Sequence, residues 1–350
     1  MIIDVAALPK AELHSHLDGG LRVATILELA AETGYDELPA TDPDALAAWF
    51  HQDDSGSLER YLEAFRHTVG VMQTADALER VAYEAVLDLA AENVVYGEIR
   101  FGPGLHTERG LSLHEVLGAV RRGVARGEAE TGVVAPIIVA ALRHLDDSEQ
   151  VARAAADFID DGVVAFDLAG PEAGFPADNH VAACRIAREA GLGLTIHGGE
   201  ADGPNSMWRA IARCGARRIG HGVRIVDDTR IVDGEIVELG AVARMVRDHR
   251  IPLEICVSSN LGIGAFPDAA SHPLGLLHKA GFAVTISTDN RLMSATTMNR
   301  EFELAIEHYA FGLAELGEAT ELALREGFGN WETRRRLITE VVRPAYSASS

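Results

Sequence analysis

The sequence predicts an α/β fold: a (β/α)8 TIM barrel with a helical insertion after strand 1 and a helical C-terminal extension. Three observations carry that expectation: eight short β-rich runs, amphipathic stretches between them, and turn residues where the runs end. The runs cover residues 11–17, 94–101, 133–142, 163–168, 192–197, 218–223, 252–257 and 283–288. Helical periodicity occupies 76–93, 112–131, 148–160, 178–190 and 234–249, several of these stretches opening on Ser or Asp and closing before Gly. Eight strands alternating with helices is the count such a barrel requires. A doubly wound sheet fits less well, because no G-x-G-x-x-G opens a helix after any run.

Two parts exceed a minimal barrel. Residues 18–93 form a long first connection with several helical segments, including 57–68. Loops that follow barrel strands build the active site, so this helical insertion is expected to lie over the mouth as a lid. Residues 294–350 read as a helical tail with a polar end. No repeat beyond the βα unit and no low-complexity linker interrupts the chain, so residues 1–350 are read as one domain.

Composition narrows the function classes. The chain carries 31 Lys and Arg against 53 Asp and Glu, a formal net charge of −22. A surface of that sign repels a polyanion, so no nucleic acid is expected as a partner. The apolar stretch 133–142 contains Pro136 and is too short for a membrane helix, so no membrane is expected either. Residues 1–4 lack a positive n-region, and no signal peptide is read. Three separated cysteines, Cys184, Cys214 and Cys256, without a C-x-x-C pair fit reduced thiols in the cytoplasm.

The chemistry gathers at strand ends. His14 and His16 alternate in the first run, so both imidazoles face one side and can converge on a metal. His197 ends the fifth run ahead of Gly198, Gly199 and Glu200. His221 lies in the sixth, and Asp289 and Asn290 follow the eighth. An eight-stranded barrel is only wide enough inside for side chains, so these distant residues can reach one point. Three His and one Asp are donors of the kind zinc takes, with room for a water. Binuclear barrel hydrolases commonly bridge two metals with a modified Lys. Only Lys10 and Lys279 are present, neither at a strand's C-terminal end, so one zinc per chain is expected. The other ten histidines, among them His51, His67, His114, His249 and His278, read as surface residues.

At this point the chain resembles the adenosine deaminase family of zinc-dependent barrel enzymes, its actinobacterial branch in particular. The resemblance rests on residues 8–19 (LPKAELHSHLDG), 167–170 (DLAG), 197–200 (HGGE), 220–222 (GHG), 258–260 (SSN) and 288–290 (TDN), in the family's order over nearly the whole chain. The H-x-E and P-C-x-x-C signature of cytidine-type deaminases is absent. The resemblance implies zinc held by His14, His16, His197 and Asp289, and water attacking C6 of a 6-aminopurine. It further implies that Asp289 and His221 orient that water and take its proton, and that Glu200, protonated when substrate binds, serves N1. It places the ribose 5′-hydroxyl on Asp18 and purine N3 on the backbone N–H of Gly170, with Leu58, Tyr61, Leu62 and Phe65 covering the base. The substrate implied is a small purine nucleoside, adenosine and with it 2′-deoxyadenosine, giving inosine and ammonia. On spacing alone Asp18 reads equally as the N-cap of a helix beginning near Val23.

Departures from the family pattern bear on substrate choice. Asn290 stands where many relatives carry a second Asp; its amide can donate to purine N7 at any pH. Gly198 replaces the usual Ala. Residues 257–264 lack the family's Pro and Gln-Thr pair, which is expected to alter a loop at the pocket rim. That alteration keeps a second 6-aminopurine compound, adenine or aminodeoxyfutalosine, as the alternative substrate. A non-catalytic nucleoside-binding protein on the same scaffold is disfavoured by Glu200, His221 and the complete donor set. The sequence leaves open whether Arg100, Arg224 and Arg291 admit a phosphorylated substrate or pair with carboxylates.

Overall fold

The computed structural model describes residues 3–52 and 55–347. Eight parallel strands follow in the order β1 (Lys10–His16), β2 (Val94–Phe101), β3 (Ile137–Leu142), β4 (Val163–Ala169), β5 (Gly193–Gly198), β6 (Arg218–His221), β9 (Leu253–Ile255) and β10 (Val284–Ile286). The last returns to the first. His16 N–H donates to Asp289 O at 2.8 Å, and Asp289 N–H to His14 O at 2.9 Å. Residues of two future site clusters thus form the seam of the barrel. Strands such as Ile137–Leu142, apolar at every position, are covered on both faces, as parallel sheets with flanking helices demand. The third strand begins four residues later than its apolar run, after Pro136, which offers no N–H.

The sixth run ends in a feature absent from the expected pattern. A separate hairpin, β7 (Thr229–Val232) with β8 (Glu235–Leu239), turns through Asp233 and Gly234. An Asp-Gly pair between two alternating segments is a hairpin signal, and it shortens the helix read at 234–249 to Ala241–Asp248.

The first connection folds into five helices: α1 (Val23–Thr33), α2 (Pro43–Phe50), α3 (Leu58–Glu63), α4 (Phe65–Val71) and α5 (Ala75–Ala91). Side chains of Asp42, Ser57 and Thr74 cap three of them. The stretch read as one helix at 57–68 breaks at Ala64. Arg22, not Asp18, occupies the N-cap of α1, which removes the capping role considered for Asp18. Helix α6 (Leu113–Thr131) opens on the reciprocal Ser112 and Glu115 capping box and lies against α5. The contact needs Gly123, where a Cβ would sit 2.8 Å from that of Ala82 and closer still to the Glu79 carbonyl. At the chain's far end Met298–Tyr309, Leu313–Glu326, Trp331–Leu337 and Arg343–Ser347 are helical, as the tail predicts.

Several histidines read as surface residues are not. His67 is buried and bonded to the Tyr35 hydroxyl at 2.9 Å, and His106, His180 and His272 are buried too. His114 is exposed but pairs with Asp157 at 2.9 Å. Histidine carries enough ring surface to pack in an apolar layer once one nitrogen is bonded, so its residue type alone does not place it. Lys10 is buried at the N-terminal end of β1, its Nζ donating to Leu8 O and Glu92 O, far from the strand ends that carry chemistry. All three cysteines are buried and free. Among the described residues no helix is long and apolar enough to cross a membrane.

Candidate active site

The strand ends bring His14, His16, His197 and Asp289 together with ligand atoms all within 4.8 Å of one another. His16 Nε2 lies 3.1 Å from His197 Nε2, and Asp289 Oδ1 lies 3.2 Å from His14 Nε2 and 3.3 Å from His16 Nε2. A tetrahedron with ~2.0 Å metal–ligand bonds has an edge of about 3.3 Å, so these separations fit one shared cation. His14 Nε2 and Asp289 Oδ1 are buried with no hydrogen-bond partner in the protein. Buried polar atoms are almost always satisfied, so two orphans aimed at one point fit a group able to hold a metal ion.

Three of the four donors are oriented from behind. His14 Nδ1–H donates to Glu254 at 2.9 Å and His197 Nδ1–H to Asp167 at 3.0 Å, leaving both Nε2 lone pairs facing inward. Ser259 Oγ donates to Asp289 Oδ2 at 2.5 Å. Asn260 Nδ2 lies 3.1 Å from His221 Nδ1, and Asn260 Oδ1 3.2 Å from His272 Nε2. Ser259 and Asn260 sit on a short helix, Val257–Gly262, where a rim loop was expected, and no residue of that helix lines the pocket.

Backbone geometry at the site is unusual. His221 and Asp289 both adopt left-handed conformations, with φ of 65° and 62°. Each costs of order 1–3 kcal/mol for a non-glycine residue, which the surrounding packing must over-determine. Gly220, between His14 and His197, leaves no space for a side chain: a Cβ there would lie 2.9 Å from His14 Cε1 and 3.2 Å from His197 Cα. Gly220→Ala is therefore expected to displace the His14 ring and lower kcat/KM by about 10²-fold, the cost of a misplacement near 1 Å. Steady-state kinetics on folded protein, verified by circular dichroism, checks this.

Glu200 is buried, its Oε2 3.4 Å from His221 Nε2. Burial, and next the charge of Glu172, push its carboxyl well above the ordinary range. Burial, then the charge of His14, hold His221 well below its ordinary value, so its ring is neutral at physiological pH. Glu172 was not singled out from sequence. Its buried carboxylate accepts the backbone N–H groups of Gly199, Glu200, Ala201 and Asp202 at 2.6–3.1 Å and so fixes the turn that carries Glu200.

A cavity of about 640 Å³ opens beside these groups and is lined by His16, Asp18, Gly170, Glu200, His221 and Asn290, among others. Leu58, Tyr61, Leu62 and Phe65 form part of its wall. Burial pushes Asp18 up to about 7, and its Oδ1, 3.8 Å from His16 Nδ1, has no hydrogen-bond partner. Asn290 Oδ1 is likewise buried and unpartnered. Gly170 holds φ at +86°, a conformation that favours glycine, where a Cβ would also press on the His144 ring. None of the three arginines left open by the sequence lines the cavity: Arg100 pairs with Asp167 and Glu254, Arg224 with Asp227, and Arg291 with Glu92.

Comparison with known proteins joins this geometry to a lineage. A family model described as adenosine deaminase matches residues 9–344. An adenosine deaminase of Mycobacteroides abscessus is 49% identical over 352 aligned residues, covering 99% of this chain and 97% of its own. Among solved structures, the adenine deaminase of Arthrobacter aurescens superposes with a TM-score of 0.85 at 27% identity, covering 96% of this chain and 99% of that one. Arabidopsis ADAL complexed with IMP reaches a TM-score of 0.81 at 24% identity, over 99% and 98% of the two chains. With a match from the first strand to the last helix and near half of its residues shared with a full-length relative, this chain belongs to the adenosine deaminase family.

Proposed function

We propose that the protein is a zinc-dependent hydrolase that converts adenosine, and with it 2′-deoxyadenosine, to inosine and ammonia. The observation that carries this reading is a buried Glu200 beside His221 and a four-donor cluster, all facing one cavity. His14, His16, His197 and Asp289 would hold one zinc, which when bound supplies a Lewis acid that brings the pKa of water to about 7. Neutral His221, its Nδ1 accepting from the Asn260 amide, orients the attacking water against C6 together with ionised Asp289, which takes its proton. Glu200 delivers its proton to N1, so that negative charge does not build on the ring as the C6–O bond forms. The proton taken from water passes to the amino group, the C6–N bond breaks and ammonia leaves, and the proton left on the C6 oxygen returns to Glu200 as the carbonyl forms. Asn290 donates its amide to N7, the Gly170 backbone N–H meets N3, and Asp18 receives the 5′-hydroxyl. The chain works as one domain, with residues 18–93 as the lid over the base.

A nucleoside is favoured over a nucleotide by the charge around the cavity. Glu37, Glu59, Glu63 and Glu108 line it with Asp18, against a single guanidinium, Arg66, that is paired with Glu37 at 2.5 Å. A 5′-phosphate would meet carboxylates without a free cation to receive it. Adenine loses support as the alternative, because the altered segment 257–264 that suggested it lies in and beside the Val257–Gly262 helix, off the cavity wall. Ammonia release from zinc-loaded protein given adenosine, 2′-deoxyadenosine, adenine, aminodeoxyfutalosine and AMP tests the reading. Both nucleosides should turn over, and AMP should fall about 10²-fold or more below adenosine in kcat/KM. Zinc-loaded protein inert towards both nucleosides would overturn it.

A further inference from the structure

One side chain touches both of the carboxylates that orient metal-facing imidazoles. Arg100, in β2, is fully buried inside the barrel. Its Nη1 donates to Asp167 Oδ2 at 2.9 Å, and its Nη2 donates to Glu254 Oε2 at 2.7 Å and to the Leu13 carbonyl at 2.5 Å. Asp167 is the acceptor for His197 Nδ1–H, Glu254 Oε2 is the acceptor for His14 Nδ1–H, and Leu13 adjoins His14 in β1. A single planar guanidinium therefore sets the acceptors of two imidazoles on different strands and the backbone beside one of them. The other oxygen of Glu254 is held separately, by Arg218 Nε at 2.6 Å and Thr195 Oγ1 at 2.8 Å. Arg218 in turn reaches Glu98 at 2.5 Å and touches no imidazole acceptor other than Glu254.

We propose that Arg100 is a positioning residue for the metal centre: by bridging Asp167 and Glu254 it locks the His197 and His14 rings into one tautomer and one aim. The physical reason lies in the shape of the donor. An imidazole offers Nε2 as a ligand only when Nδ1 carries the proton, and the partner of Nδ1 decides that. A carboxylate that can swing gives the ring two orientations. The rigid fork of arginine removes that freedom at both carboxylates together, which a lysine ammonium cannot do, because one nitrogen on a flexible stem cannot hold both acceptors in that planar geometry. The charge is needed as well, since Asp167 buried without the Arg100 cation would take up a proton or draw in water.

The inference rests on the metal site proposed above, so the wild-type protein is measured first. Zinc affinity is read by competition with a chromophoric chelator, the ligand field from the visible absorption of the Co2+ form, and folding from thermal unfolding of the zinc-stripped form. Arg100→Lys keeps the charge and loses the fork. It is expected to raise the zinc Kd 10–100-fold, the usual cost of losing an outer-shell partner, and to shift the Co2+ bands. Arg218→Lys removes an equally buried guanidinium that touches only one of the two acceptors, on the Glu254 oxygen that His14 does not use. It should lower the melting temperature of the stripped protein comparably and raise the zinc Kd by less than about threefold on the same reasoning. The proposal is overturned if Arg100→Lys binds zinc with wild-type affinity and unchanged Co2+ bands, or if both variants lose affinity equally. Should Arg100→Lys not fold, Glu254→Gln cuts the same bridge from the other side and is judged by the same two readouts. A wild-type protein that binds no zinc would instead refute the metal site itself.

Discussion

Glu200→Gln is expected to lower kcat/KM for adenosine by about 10²–10⁴-fold, the contribution of one well-placed general acid, while zinc content stays at the wild-type level. Glutamine keeps the volume of Glu200 and its place in the turn, whose backbone N–H groups are bonded to Glu172 rather than to Glu200 itself. What it lacks is a proton to transfer. The same residue sets a pH dependence. Its carboxyl is raised, so the protonated, competent form persists below that raised pKa and is lost as pH climbs through it. His221 is shifted the opposite way, so the neutral ring that orients the water is lost only below its lowered value. Activity should fall on the alkaline side through the raised Glu200 and on the acid side through the lowered His221. In the glutamine variant the residual activity should lose the alkaline limb. A variant with near wild-type turnover would show that N1 is protonated by another group.

Removing the metal is expected to abolish deamination, with activity restored by stoichiometric zinc. Without the ion, His14 Nε2 and Asp289 Oδ1 are buried with no protein partner, so the emptied cluster retains no strong nucleophile of its own. Stability should respond too. A ligand that binds only the folded state adds RT ln(1 + [L]/Kd), about 4 kcal/mol when free zinc exceeds its Kd a thousandfold. Chelator-treated protein should therefore melt at a lower temperature and recover on titration with zinc, a readout independent of substrate. Full turnover after exhaustive chelation, with metal analysis reading zero, would exclude the centre at His14, His16, His197 and Asp289.

Much of this site was legible in the chain because barrels confine chemistry to one face. Once eight runs could be counted, the positions at their C-terminal ends had to be neighbours, and His14, His16, His197, His221 and Asp289 could be gathered without coordinates. The supports behind them were not. Asp167 stood out only as part of a motif, and Glu254 and Arg100 lay inside runs read as buried strands, where an isolated charge has no stated partner. That three charges inside apolar runs require compensation was the available signal. It says that partners exist, not which strands supply them. Glu172 and the hydrogen bonds of Ser259 and Asn260 depend on loop and helix placement that periodicity does not encode.

By itself the sequence determined the barrel, the acidic surface and the set of donors, since these follow from alternation, composition and residue type. Only the tertiary structure decided that Asp18 faces the cavity rather than capping a helix, and that 257–262 is a helix behind the site rather than a loop at its rim. It also decided that Arg100 joins two carboxylates 67 and 154 residues away. Local periodicity is set by neighbours within a few residues. The pairing of buried charges is set by which strands the closed barrel places side by side, and that is a property of the whole chain.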